Sequence, residues 1–285
     1  MRSAARPTTL VMAFMLVGAL VSAQSQTAAT QTAGEAAATP AASTAAGAVS
    51  AKIWLNNREQ IEAYLKTAEV VSLEELQVGV TKPRRAKLAP GGPVEAFAWK
   101  VLPPGRVSGY WESYKSEIAA YELDKLLGLD MVPPTVERRV DNTTGAAVMW
   151  CSQTKSFGQL KGVPTAPPQH HASWNRQLAR AKMFDNLIGN KDPNLGNWLV
   201  DPAWNLILID HTRAFTTDKD LVHKKMNRID GALWDKMSAL TLESLEPVLG
   251  PWMGKGEIKA VLQRRDLMKA GFEKQMAADP EFVTR

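Results

Sequence analysis

The chain has 285 residues and a formal charge of +5, from 34 Lys and Arg against 29 Asp and Glu, and 45% of it is hydrophobic. That excess is small and spread along the chain, with no dense Lys/Arg tract interleaved with aromatics, which argues against a nucleic-acid partner. Cys151 is the only cysteine, so no internal disulfide constrains the fold and packing must stabilise the core.

In chain order, Arg2 and Arg6 precede an apolar run from Thr8 to Val21, and Val21-Ser22-Ala23 offers the small residues that a signal peptidase cuts after. Residues 1–23 therefore read as a signal peptide and imply an exported protein, periplasmic or secreted. The run is short for a permanent span, so no stable membrane span is expected after cleavage, an uncleaved anchor being the alternative. Residues 24–50 are almost wholly Ala, Thr, Ser, Gln and Gly and read as a disordered linker with nothing large to bury. The remaining 51–285 are long enough for one sizeable domain with two lobes or for two small ones.

Residues 52–68 carry Ile61 and Leu65 on one helical side, and 69–79 turn toward strand character. Val78-Gly79-Val80-Thr81-Lys82-Pro83-Arg84-Arg85 is a small-residue basic loop. Its amides and the Lys82 ammonium suit a phosphate, although a plain surface hairpin has the same composition. Ala96-Phe97-Ala98-Trp99-Lys100-Val101-Leu102 reads as a buried strand, in which Lys100 requires a carboxylate or a phosphate as partner. The stretch from Ser113 to Leu129 has the helical stripe Ala119-Ala120, Leu123, Leu126-Leu127, with Glu117 at its border and Glu122 on the far flank. Gly128 and Pro133-Pro134 stop it. Lys100 and Glu117 either pair across a nucleotide site or are both solvated. Strands are predicted at Pro134 to Arg139 and Ala146 to Trp150, joined by the Asp141–Gly145 turn, with a connector to the next lobe from Cys151 and a proline-rich loop from Pro164 to His171.

The densest concentration of polar chemistry follows. Trp174, Leu178, Ala181, Phe184 or Asp185, and Leu187-Ile188 recur at helical steps over about 173–188, and Gly189-Asn190 ends that helix. Pro193 biases Asp192 toward an extended backbone and leaves its side chain available to a site. Trp198-Leu199-Val200 and Leu206–Ile209 flank a turn-rich segment and predict an antiparallel hairpin centred on Ala203. Paired positions then sum to roughly 406, which brings Asn197 beside Asp210. Asp192 to Asn197 is 197 − 192 = 5 positions, the D-x-x-x-x-N spacing of a phosphotransfer loop, and these oxygen donors suit Mg2+ or Mn2+. Asp and Asn also crowd loops because they form turns, so the spacing alone leaves both readings open.

His170, His171, His211 and His223 lack closed-zinc spacing and read as surface residues. Cys151 has no local acid–base company and reads as structural. Helices are predicted near 218–226, 229–239, 241–249 and 255–277, forming a helical C-terminal portion.

Together, Ser116-Glu117-Ile118 through Gly128-Leu129, Val132-Pro133-Pro134, Phe184-Asp185-Asn186-Leu187-Ile188-Gly189-Asn190-Lys191-Asp192 and Ile209-Asp210-His211-Thr212-Arg213-Ala214-Phe215 resemble the atypical kinases of the secretory pathway, the group of the Golgi casein kinase and four-jointed. More distantly they are similar to HipA-type and phosphatidylinositol kinases. The likeness runs from about residue 76 to 216. It implies an α+β, bilobal protein-kinase-like fold, with a small β-rich N-lobe over about 51–152 and a mostly helical C-lobe over about 153–285. It also implies an ATP site in which Lys100 holds phosphates beside Glu117 and backbone near Met149, Trp150 and Cys151 meets the adenine. Asp192 would be the catalytic carboxylate, with Asn197 and Asp210 holding Mg2+ or Mn2+. The family follows its catalytic Asp with Arg, whereas this chain has Pro193, and Gly79 stands alone in its loop. The resulting expectation is an exported, metal- and ATP-dependent phosphotransferase acting on a protein or glycan hydroxyl. The alternative, motivated by Pro193, is a catalytically weak kinase-like module that binds nucleotide, metal or a surface partner.

Overall fold

The computed structural model describes residues 49–76 and 83–284. The predicted signal peptide, nearly all of the predicted linker, and Gly79 and Lys82 of the predicted basic loop therefore lie outside the described residues. No helix among the described residues is long and apolar enough to cross a membrane.

The N-terminal portion begins with α1 (Arg58–Thr67), whose Ile61 and Leu65 are buried. They pack on one face of a five-stranded antiparallel sheet, ordered β1-β2-β3-β7-β6, formed by β1 (Val70–Glu75), β2 (Arg84–Leu88), β3 (Ala96–Lys100), β6 (Thr135–Val140) and β7 (Thr143–Met149). Phe97 and Trp99 of β3 point into this core and meet edge to face at 5.9 Å. A small hairpin, β4 (Gly105–Val107) and β5 (Tyr110–Glu112), leads into α2 (Tyr114–Leu127). Ser113 caps that helix by accepting from the Lys115 amide, and Gly128 closes it in the left-handed region at φ 56.

The turn between β6 and β7 is tighter than its composition predicts. Asp141 and Asn142 alone form it, both left-handed at φ 47 and 61, so the strand resumes at Thr143 rather than after Gly145. Gly145 thus becomes a strand residue. A Cβ there would lie 2.4 Å from the Lys100 carbonyl oxygen, so glycine is what lets β7 approach β3 beside the lysine.

The second portion is built on α3 (His171–Ile188), ended by Gly189 at φ 63. It packs beneath a three-stranded sheet of β8 (Lys155–Ser156), β9 (Trp198–Val200) and β10 (Leu206–Leu208). The β9–β10 register pairs Leu206 with Val200, Ile207 with Leu199 and Leu208 with Trp198, each pair summing to 406 as the turn composition predicts. Helices α4 (Gly231–Ser238), α5 (Leu242–Leu249) and α6 (Lys255–Ala278) complete the larger core. The helix predicted near 218–226 does not form. That stretch is polar, and its backbone is held by tertiary bonds instead: Asn186 both donates to the His223 carbonyl and accepts from its amide, at 3.0 and 2.7 Å. Helix α2 is shared, since Ala119, Ala120, Leu123 and Leu127 join the larger core while Tyr114 and Ile118 pack on Ala146 and Val148 of β7.

Candidate active site

Lys100 ends β3 with its ammonium almost fully buried between two carboxylates. Its Nζ donates to Glu117 Oε1 and to Asp210 Oδ1, both at 2.6 Å. The pairing with Glu117 follows from the helix face; the contact with Asp210 does not, because it spans 110 positions. Glu117 lies inside the protein rather than at a border, 1% exposed. Its Oε1 also accepts from the His211 amide at 3.1 Å.

The histidine expectation therefore needs correcting at one position. His211 is fully buried, with its ring edge-on to Phe184 and its Nδ1 3.7 Å from Glu117 Oε2. Phe184 of α3 and Glu117 of α2 lie against it, which no local spacing could reveal.

Burial works against an ionised Glu117. The Lys100 ammonium and the hydrogen bonds from Lys100 and His211 override it and hold the carboxyl below its ordinary 4.5. The carboxylates of Asp210 and Glu117 likewise overcome burial to raise the pKa of Lys100. A carboxyl whose pKa is lower in the folded state adds stability that is present above the ordinary value and is lost as pH falls through the lowered one. Wild-type protein should accordingly lose stability on acidification below about pH 4.5, and Glu117→Gln should flatten that limb in urea titrations at successive pH values. An unchanged slope in the variant would remove Glu117 as its cause.

Asp210 has a left-handed backbone at φ 63, unusual outside glycine but tolerated by Asp, and Thr212 Oγ1 donates to its Oδ1 at 3.1 Å. Asn197 is adjacent, its carbonyl accepting the Ile209 amide at 3.0 Å. The Asn197 side-chain amide donates to the Asp192 carbonyl at 3.0 Å, which turns its Oδ1 into an available acceptor. Among the described residues no cluster of three or more His, Cys, Asp or Glu forms a closed metal site. One carboxylate and one amide oxygen, completed by phosphate oxygens, is nonetheless a donor set that Mg2+ or Mn2+ accepts.

Asp192 lies on the loop after α3, partly exposed. Its amide donates to Asn190 Oδ1 at 3.1 Å, and Asn190 in turn donates to Asp185 Oδ1 at 3.0 Å. Asp185 is buried, its other oxygen 3.3 Å from His223 Nε2. Asp185 and Asn190 thus brace the loop that carries Asp192, a role that periodicity hides: on the helical wheel Asp185 falls where Phe184 also fits. An acidic residue in register with the apolar stripe, between Phe184 and Leu187-Ile188, was the available signal.

At the segment expected to meet adenine, the amides of Met149 and Trp150 already donate to the carbonyls of Pro134 and Ala96, at 2.8 and 3.1 Å. A base there would meet carbonyl groups and side chains of this segment, where Arg85 stacks over Trp150 at 4.7 Å. Burial pushes the Cys151 thiol up to about 12, in keeping with a structural cysteine. A cavity of about 310 Å3, lined by Pro104, Trp111, Ser113, Phe215 and Trp252, lies beside the start of α2.

A lysine at the end of the central strand, paired to a helix glutamate and to Asp210 of the larger portion, sits in an atypical kinase-like fold. Over 79% of its length the chain is similar to a Fam20 protein of hydra solved with sugar, at 14% identity, covering 91% of that chain with a TM-score of 0.62. It is similar to the Golgi casein kinase at 15% identity, covering 79% of this chain and 78% of that one, with a TM-score of 0.58. A structure of the Golgi casein kinase with Mn/ADP bound is 14% identical over 74% of each chain, with a TM-score of 0.53. No protein-family model and no curated protein matches the sequence. At these identities the likeness establishes the fold.

Proposed function

We propose that the protein is an exported, metal- and ATP-dependent phosphotransferase acting on the hydroxyl of a protein or glycan. The observation that carries this reading is the buried Lys100 ammonium shared between Glu117 and Asp210 at 2.6 Å each. A buried cation held by two carboxylates is costly unless anionic groups use it. Glu117 sets the direction of the ammonium, and Lys100 binds the nucleotide phosphates. Asn197 and Asp210 would hold the divalent ion. Asp192 orients the acceptor hydroxyl for in-line attack and takes its hydrogen bond. Backbone and side chains near Met149 and Trp150 bound the adenine, and the cavity beside Trp111 receives the acceptor. When bound, the divalent ion neutralises charge on the transferring phosphoryl group, and the rest of catalysis is positioning. Export follows from the N-terminal apolar segment, and the solved relatives named above for a Golgi kinase and a sugar support the substrate class.

Full-length protein incubated with labelled ATP and Mn2+ or Mg2+ tests the reading, with protein and oligosaccharide acceptors. Label transfer or ATP hydrolysis dependent on the ion is expected, with a rise in Tm on adding nucleotide and ion together. Absence of turnover and of any Tm shift would sink it. A shift without turnover would favour the second reading, a nucleotide- or metal-binding module, which Pro193 after the catalytic carboxylate motivates.

A further inference from the structure

Proline after Asp192 leaves position 193 with neither an N–H nor a charged side chain to hold the carboxylate, and Lys191 on the other side is paired with Asp218 at 2.6 Å. The structure supplies a charged partner from 21 positions away. Arg213 Nη1 reaches Asp192 Oδ2 at 3.4 Å, while Asn194 holds the other oxygen at 2.8 Å. The guanidinium is itself fixed. Its Nε and Nη2 both donate to Glu112 Oε1, at 2.8 and 2.7 Å, and the Tyr110 ring covers its face at 4.4 Å. Glu112 is fully buried at the end of β5, and its Oε2 has no protein partner among the described residues. Backbone bonds lock the same parts together: the Lys191 amide donates to the Arg213 carbonyl at 3.3 Å, and the Ser113 amide to the Thr212 carbonyl at 3.0 Å.

We propose that Arg213 is the positioning residue for Asp192, holding that carboxylate from across the site in place of a residue at 193, with Glu112 and Tyr110 of the β5 strand as its support. This rests on the phosphotransferase reading above. A solvated ion pair would leave the guanidinium's other donors in water. Here they are committed to a buried carboxylate, so the fork has one remaining direction and it points at Asp192. Two-point fixing, by Arg213 and Asn194, sets the rotamer with which Asp192 meets an acceptor hydroxyl.

Steady-state kinetics with Mn2+ and ATP on the full chain test this. A misplacement of the order of 1 Å costs roughly 100-fold in rate, so Arg213→Ala should lower kcat by about that factor and leave the KM for ATP within about twofold. Added guanidinium ion should restore part of the loss, whereas Arg213→Lys should recover little, since an ammonium lacks the fork. Because Arg213→Ala strands Glu112, the Glu112→Gln/Arg213→Ala double variant keeps the test independent of folding. Unchanged kcat in a folded variant, or a KM for ATP that rises in step with the fall in kcat, would overturn the proposal. Should wild-type protein transfer no phosphoryl group, the phosphotransferase reading fails by itself. Crystal structures of wild type and the double variant then decide: an Asp192 side chain displaced from its contact with Asn194 supports positioning, and one that keeps its place refutes it.

Discussion

Asp192→Ala is expected to reduce phosphoryl transfer by about 10²–10⁴-fold while nucleotide still binds, and Asp210→Ala to abolish ion-dependent nucleotide binding itself. The two carboxylates differ in what they touch. Asp192 contacts Asn194 and Arg213 on the loop side, away from Lys100. Asp210 shares the Lys100 ammonium at 2.6 Å and neighbours Asn197 through the Ile209 amide. Removing Asp192 therefore leaves the Lys100–Glu117–Asp210 cluster intact. Removing Asp210 deletes the carboxylate among the proposed ion ligands, and ligand-sphere losses of even secondary groups weaken metal affinity by about 10–100-fold. Isothermal titration with Mn2+ and ADP, run beside turnover assays, separates the two. Equal loss of nucleotide binding in both variants would refute the division of roles, and full turnover in Asp192→Ala would remove it as the catalytic carboxylate.

The largest stability effect is expected far from the chemistry, at Arg264 on α6. Its side chain is fully buried. Nε donates to the Leu187 carbonyl at 2.9 Å, and Nη1 donates to the Thr216 carbonyl at 3.1 Å and to the Asp218 carbonyl. The first of these carbonyls is left over at the C-terminus of α3, and the other two follow the Asp210 segment. One guanidinium thus ties the end of the helix that presents Asp192 to the strand exit that presents Asp210. Burial lowers its pKa to about 10, still leaving it charged at neutral pH. Arg264→Met fills much of the volume but strands three carbonyls, and we expect it to cost about 3–5 kcal/mol, read as a fall in Tm of roughly 10 °C. Arg264→Lys should recover part of that. A loss below about 0.5 kcal/mol in urea unfolding, the level of an ordinary surface change, would show that water satisfies these groups instead.

Local signals carried α3 well, because a helical stripe and a glycine stop act within a few residues. They also carried the β9–β10 hairpin, where turn composition set the register that placed Asn197 beside Asp210. They misjudged the β6–β7 turn, since Asp141 and Asn142 accept left-handed backbone without glycine and leave Gly145 to the sheet. They placed a helix near 218–226 on propensity, which tertiary bonds to Asn186 and Arg264 override. The burial of His211 and the reach of Arg213 to Asp192 were not legible, because a side chain's surroundings depend on what the rest of the chain lays over it.

The sequence by itself determined the parts: which segment presents Asp192, Asn197 and Asp210, which strand carries Lys100, and which helix carries Glu117. These depend on hydrophobic periods and turn chemistry, which are short-ranged. The tertiary structure alone decided how the parts meet. Lys100 lies between Glu117 and Asp210, Arg213 reaches back to Asp192 from a support on β5, and Arg264 ties two loops to one helix. Charge pairing between residues tens of positions apart leaves no period in a sequence, because any carboxylate satisfies a buried cation and only the packed fold selects which one is within reach.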